Sequence, residues 1–210
     1  MSKNALETLF RKFTEALVEN ADSKTFLPDS DLIRLLEEAE PNLKQCLINA
    51  QVDPLEHDEV LELIRHGGRK VFATLVLMNN HPVNLILKFM AGDQMLWNEL
   101  DARLPFALVE LNLILGDDHL AKLFYLKQWV LLSPLFKSDR AHREFEKHTI
   151  LPFVHVDDIK NGQGGCGTVT RVTLHKTQHR FRQASNVTSH VSKDPTDYPI
   201  NVNIDVSRLN

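Results

Sequence analysis

Glycine is concentrated in one short segment of this chain. Four of the eight glycines lie within residues 162–167, in a stretch with the pattern G-x-G-x-x-G-x-V. An apolar run that ends at Ile159 precedes this stretch, and an alternating run from Val169 to Leu174 follows it. Runs of this kind on both sides predict strands, so the segment is expected to be a glycine-rich hairpin.

A glycine-rich hairpin can bind phosphate groups through its backbone. Without Cβ atoms, the N–H groups can approach phosphate oxygens, and the turn can adopt positive φ angles. The valine two residues after the last glycine would face an adenine ring. Turn geometry alone also produces this pattern, and that alternative stays open. The residues predicted to bind a nucleotide are Gly162, Gln163, Gly164, Gly165, Cys166, Gly167 and Val169.

The composition excludes several classes of protein. With 210 residues, 43% of them hydrophobic and 25% charged, the chain is typical of a globular protein of one large or two small domains. A net charge of −4 without blocks of like charge argues against nucleic acid as a partner. A membrane span needs about 20 apolar residues, and the sequence has no such run and no signal peptide. We therefore expect a cytoplasmic protein without a membrane partner.

Cysteine and histidine give no metal-binding pattern. Cys46 and Cys166 are far apart and lack zinc-site spacing, so reduced thiols are expected. His175 and His179 are four residues apart, but they follow a predicted strand and lack a third ligand. The sequence therefore predicts no metal site.

The first 150 residues are predicted to form helices. Apolar residues recur at intervals of three and four in most of this region, which indicates amphipathic helices. The side chains after Pro28 suit a helix N-cap, and Gly67 with Gly68 suits a helix end. The predicted helices cover residues 4–20, a segment after 28–31, 58–65, 83–90, 120–136 as the centre of the core, and 139–148. Residues 71–78 suit a buried helix or a strand equally. Core positions are expected for Phe72, Phe89, Trp97, Phe124 and Trp129.

From Ile150 the apolar pattern changes to a period of two. Three strands are predicted, over residues 151–156, 169–174 and 200–206, with a polar loop over 178–199 between the last two. The sequence therefore predicts an α+β fold. It consists of an all-helical region over residues 1–150 and an incomplete antiparallel β-sheet over residues 151–210.

Several segments, in their order, resemble protein kinases of filamentous ascomycete fungi. They are residues 128–136 (QWVLLSPLF), 149–153 (TILPF), the glycine-rich segment, and 172–175 (VTLH) followed by His179 and Phe181. Residues 69–75 and 104–106 resemble the helical region that precedes the kinase domain in those proteins. The resemblance covers roughly residues 69–181. It implies the start of a serine/threonine kinase N-lobe, beginning near Pro152, with ATP as ligand and magnesium only together with ATP.

The chain departs from the kinase pattern at the residues that transfer phosphate. That reaction needs a strand lysine, a catalytic-loop Asp and Asn, and the Asp of Asp-Phe-Gly. After Gly167 the sequence has neither His-Arg-Asp nor Asp-Phe-Gly, and Lys193 is the nearest candidate for the lysine, with a solvated loop lysine as the alternative. Asn161 and Cys166 replace an apolar and an aromatic residue of the family pattern. We therefore expect a truncated, kinase-like fragment that has no catalytic residue and does not transfer phosphate.

The helical region supports a second interpretation. Residues 1–150 could be the functional unit, as a non-enzymatic module that binds or regulates another protein, with a vestigial kinase segment after it. Nucleotide binding and partner binding distinguish the two interpretations.

Overall fold

The computed structural model describes residues 3–78, 82–91, 94–137, 145–157, 171–180 and 200–201. Within these ranges the chain forms helices and short strands, so the fold is α+β. It divides into two compact units. The first contains Met1–Leu17 and Leu27–Leu132, and the second contains Val18–Phe26 and Ser133–Asn210. The compact units thus do not follow the predicted border at residue 150.

The first unit consists of helices. Its α-helices are α1 (Lys3–Glu15), α2 (Asp29–Asn49), α3 (His57–Glu62), α4 (Arg69–Leu77), α5 (Pro82–Met90), α6 (Leu108–Leu115) and α7 (Asp118–Lys127). A π-helical turn, Leu63–Gly67, joins α3 to α4. Two 3₁₀ segments, Gln94–Arg103 and Gln128–Leu131, precede α6 and follow α7. The predicted helices at 58–65 and 83–90 are thus confirmed in outline.

Two predicted details at the ends of these helices are wrong. The first helix ends at Glu15 rather than near residue 20, because the chain continues into a strand at Val18. Helix α2 begins after Pro28 without a side-chain cap. Instead, the Pro28 carbonyl accepts hydrogen bonds from the backbone N–H groups of Asp31 (3.1 Å) and Leu32 (3.0 Å). The backbone alone therefore starts this helix.

Helix α4 forms the centre of the first unit. Every residue from Val71 to Leu77 is buried, and the helix contacts α1, α2, α5 and α7. Burial on all sides explains why residues 71–78 show no amphipathic period. Phe72, Phe89, Phe124 and Trp129 are buried as predicted, whereas Trp97 lies outside the residues whose side chains are described. The segment 120–136, predicted as one central helix, is helical only to Leu131.

The second unit consists of short strands. Strands β1 (Val18–Glu19) and β2 (Thr25–Phe26) form an antiparallel hairpin, and β3 (Phe136–Lys137) pairs in parallel with β6 (His179–Arg180). A three-stranded antiparallel sheet has the order β4-β5-β7, formed by Phe153–Asp157, Arg171–Leu174 and Ile200–Asn201. Among the described residues of this unit, five buried side chains form one apolar cluster: Phe136, Leu151, Phe153, Val172 and Leu174.

Predicted strands of this unit are confirmed, whereas a predicted helix is wrong at its end. The strands predicted at 151–156 and 169–174 are confirmed where the chain is described, and the third is described at Ile200 and Asn201. The helix predicted at 139–148 is wrong at its end, because Phe145 and Glu146 are irregular and Lys147 and His148 form a turn. Residues 138–144 lie outside the described ranges.

The N-terminal hairpin is held to the strands of the second unit by hydrogen bonds. The Asn20 side-chain amide donates to the Leu151 carbonyl (2.9 Å), and the Ala21 N–H donates to the Phe153 carbonyl (2.7 Å). The Asn20 Oδ1 accepts from the backbone N–H groups of Asp22 and Lys24, which fixes the turn. Part of the region predicted to be helical therefore belongs to the strand-containing unit.

Candidate functional sites

The strands that flank the glycine-rich segment are neighbours in the sheet. Strands β4 and β5 pair antiparallel, with Asp157 opposite Arg171 at the ends that face residues 158–170. All seven predicted nucleotide-binding residues lie outside the described residues, as do Asn161 and Lys193. The described chain therefore shows which strands lead into and out of the predicted loop, and the loop itself stays a prediction.

Strand β4 carries exposed apolar side chains close to that segment. Val154 and Val156 are each 37% exposed, while Phe153 at the start of the strand is buried. The register against β5 shifts between Phe153 and His155, as in a β-bulge. Bulges re-aim side chains and are common next to functional sites. The surface of β4 is therefore partly apolar where the chain enters the glycine-rich segment.

His175 and His179 lie in different local environments. His175 Nδ1 lies 3.0 Å from Thr177 Oγ1, and the His175 ring packs edge-on against Phe26. His179 belongs to β6. Among the described residues, no three His, Cys, Asp or Glu side chains come together as a metal site. Cys46 is a free, buried thiol, and burial raises its pKa.

A cleft in the first unit is a second candidate site. It has a volume of about 160 Å³ and opens between α2, the end of α3, the π-helical turn and the start of α4. Its apolar wall includes four buried side chains and the partly exposed Ile33. The buried ones are Leu36, Leu43, Leu61 and Ile64. No sequence motif indicates this cleft, because four separate elements supply its lining.

Charged side chains surround the apolar wall of the cleft. Glu37 and Glu40 lie on α2, while Arg65, His66 and Arg69 come from the π-helical turn and the start of α4. Arg65 forms ion pairs with Glu40 (2.5 Å) and Glu62 (3.3 Å). The hydrogen bond from Arg65 to Glu40 is the main cause that raises the pKa of Arg65. These pairs are exposed and contribute little to stability. Arg65 and Glu40 place a positive and a negative charge at the rim of the cleft.

Asp101 holds the start of α4 beside this cleft. Its carboxylate accepts hydrogen bonds from the backbone N–H groups of Lys70 (3.0 Å) and Val71 (3.1 Å), which are free at a helix N-terminus. Burial raises the pKa of Asp101 above its ordinary value of 3.8, and the two backbone hydrogen bonds act in the opposite direction. A carboxylate 30 residues after Val71 thus takes the place of an N-cap.

Replacing Asp101 with asparagine should change how stability depends on pH. A raised folded-state pKa means that the contribution of Asp101 is full below pH 3.8 and is lost as pH rises through the raised pKa. Relative to Asp101→Asn, the wild type should lose about 1.4 kcal/mol for each unit by which the pKa is raised. Denaturation of both proteins at several pH values measures this difference. A difference that stays constant from pH 3.8 upward would contradict the assignment.

Known proteins give no further guide to either site. Comparison of the chain with models of protein families, with curated proteins and with solved structures found no match. Among the described residues, no helix is both long and apolar enough to cross a membrane.

Proposed function

We propose that the second unit is a kinase-like unit in the cytoplasm that binds the phosphate groups of ATP through residues 162–167, with Val169 beside the adenine ring. The observation that supports this is the antiparallel pairing of β4 with β5, because a glycine-rich hairpin must connect two neighbouring strands. Exposed Val154 and Val156 add apolar surface near the segment, which suits an adenine ring. Magnesium is proposed only as the counter-ion that arrives with ATP.

We further propose that this chain does not transfer phosphate. The sequence has neither the His-Arg-Asp nor the Asp-Phe-Gly tripeptide that would supply a base and hold magnesium. Binding of phosphate at a glycine-rich loop needs only backbone N–H groups and space. Transfer of phosphate also needs the Asp side chain of each tripeptide. The proposed activity is therefore weak nucleotide binding without catalysis.

Titration with ATP and magnesium should raise the melting temperature of the chain. A ligand at ten times its Kd stabilises the folded state by about 1.4 kcal/mol. Gly164→Val should abolish the rise, because its side chain would occupy the space where a phosphate approaches the backbone. Thr168→Val alters the same segment without filling a glycine position and should keep the rise.

Two results would contradict this proposal. One is a melting temperature that stays unchanged at millimolar ATP. The other is an equal rise in Gly164→Val, which would place ATP elsewhere on the chain. Transfer of labelled phosphate to any substrate, if Gly164→Val abolishes it, would contradict the absence of catalysis.

A second function is proposed for the first unit, which would act as a protein-interaction or regulatory module. The observation that favours it is the cleft beside α2, which presents the exposed Ile33 and a charged rim at the surface. Apolar surface rimmed by charge is typical of sites that bind other proteins. This function is independent of nucleotide binding, and both could occur in one chain.

A further inference from the structure

The size of the cleft beside α2 limits what can occupy it. Ligand pockets for drug-sized molecules and cofactors have volumes of about 300–1,000 Å³. An engineered cavity of about 150 Å³ binds benzene, which is close in size to one apolar side chain. With about 160 Å³, the cleft suits a single branched or aromatic side chain rather than a nucleotide. The buried leucines and Ile64 provide an apolar surface for such a group.

The charges at the rim indicate what should accompany that side chain. Arg65 is paired with Glu40 and Glu62, and His66 lies 3.3 Å from Glu62. Arg69 differs, because its Nε donates to the backbone carbonyl of Arg65 and it forms no ion pair within the described part of the chain. Its terminal guanidinium nitrogens can therefore bind a carboxylate in the bidentate geometry that arginine favours.

The surroundings of Arg69 favour a ligand carboxylate over other partners. Asp101 attracts Arg69 at longer range, but its oxygens accept hydrogen bonds from the backbone of α4. Glu37 lies on the α2 side of the cleft and would repel the carboxylate of a ligand on that side. An acidic group on the ligand is thus directed to the α4 side.

We propose that this cleft binds a peptide segment of a partner protein, which inserts one branched or aromatic apolar side chain and pairs a nearby carboxylate with Arg69. The apolar and acidic residues of the peptide lie near each other in its sequence, because the lining residues of so small a cleft lie close together. This proposal rests on the interaction function proposed for the first unit, and it specifies the chemistry of the partner.

Selection of random peptides displayed on phage against the full chain tests this proposal. The enriched peptides should share an apolar residue with an Asp or Glu close to it. Alanine in place of that apolar residue should weaken binding roughly tenfold or more, which corresponds to the loss of one buried large side chain. The same selection against Arg69→Glu should enrich Lys or Arg in place of the acid.

Two further variants make the result specific. Arg11→Glu makes the same change on α1, outside the cleft, and should keep the preference for an acid. Arg69→Gln removes the charge without placing a new carboxylate near Asp101, and it should lose the preference for an acid. Circular dichroism should show the same helix content in all variants.

The outcomes of the selection distinguish the proposed peptide site in the cleft from the more general interaction function of the first unit. Enriched peptides whose charge preference ignores both changes at Arg69 would overturn the cleft proposal and leave the interaction function standing. Enrichment of peptides without a shared apolar residue would likewise overturn the cleft proposal and leave the interaction function standing. A selection that enriches no peptide at all would count against both.

Discussion

Replacing Phe124 with alanine should lower the free energy of unfolding of the helical unit by about 3–5 kcal/mol. Phe124 lies on α7 and is fully buried. The centre of its ring is 5.3 Å from that of Phe89 and 6.1 Å from that of Phe106, and the latter two rings are 5.5 Å apart. When a buried ring is removed, the surrounding side chains relax only partly, so a cavity remains between the other two rings. The variant therefore loses both burial and aromatic contacts.

Urea denaturation followed by circular dichroism at the helix wavelength measures this loss. Leu126→Ala provides the matched control, because Leu126 lies on the same helix but is 65% exposed. Its effect should stay within about 0.5 kcal/mol, as for most surface substitutions. A loss below about 1 kcal/mol for Phe124→Ala would show that this ring is not part of a tightly packed core.

The predictable helices of this chain have one apolar side and one polar side. Residues 83–90 show this pattern, and α5 forms there as Pro82–Met90. Helix α6 was not predicted, because six of its eight residues are leucine, isoleucine or valine. So many apolar residues leave no polar side that would reveal the helical period. Its Val109 and Leu113 are 74% and 82% exposed although they are apolar. Apolar residues at the surface of a helix obscure the signal on which sequence analysis depends.

Polar contacts between residues that are far apart in the chain cannot be predicted from the sequence alone. Gln128 is fully buried, and its side-chain amide accepts from the Phe106 N–H (2.8 Å) and donates to the Phe106 carbonyl (3.1 Å). The hydrogen bond from Asn20 to Leu151 spans 131 residues. Neither of these hydrogen bonds belongs to a local motif, since the partner groups are backbone atoms far along the chain. Such contacts become visible only when the fold brings the segments together.

The two candidate sites also differ in how far apart their residues lie in the sequence. The glycine-rich segment is continuous in sequence, so its pattern and its flanking strands can be recognised from the order of the residues alone. The cleft beside α2 combines Ile33, Leu61 and Arg69 with other residues from separate elements, and none of them is unusual in its local sequence. A contiguous site is therefore predictable from sequence, and a site assembled by helix packing is not.

Replacing Phe136 with alanine should strongly destabilise the strand-containing unit and leave the helical unit folded. Phe136 belongs to the apolar cluster that the described residues of this unit form, and its ring lies 5.9 Å from that of Phe153 and 6.0 Å from that of Phe145. Loss of a buried phenylalanine costs about 3–5 kcal/mol. Whole domains are stable by only about 5–15 kcal/mol, so a loss of this size removes a large part of the stability of the unit.

Hydrogen exchange measures the effect on each unit separately. In Phe136→Ala, the amides of β5 should lose their protection, while those of α4 should keep it. Lys137→Ala changes the exposed neighbour on the same strand and should leave both sets protected. Because the proposed hairpin depends on the pairing of β4 with β5, Phe136→Ala should also abolish the ATP-dependent rise in melting temperature. Protection of β5 that survives the substitution would mean that the sheet does not depend on the packing of Phe136.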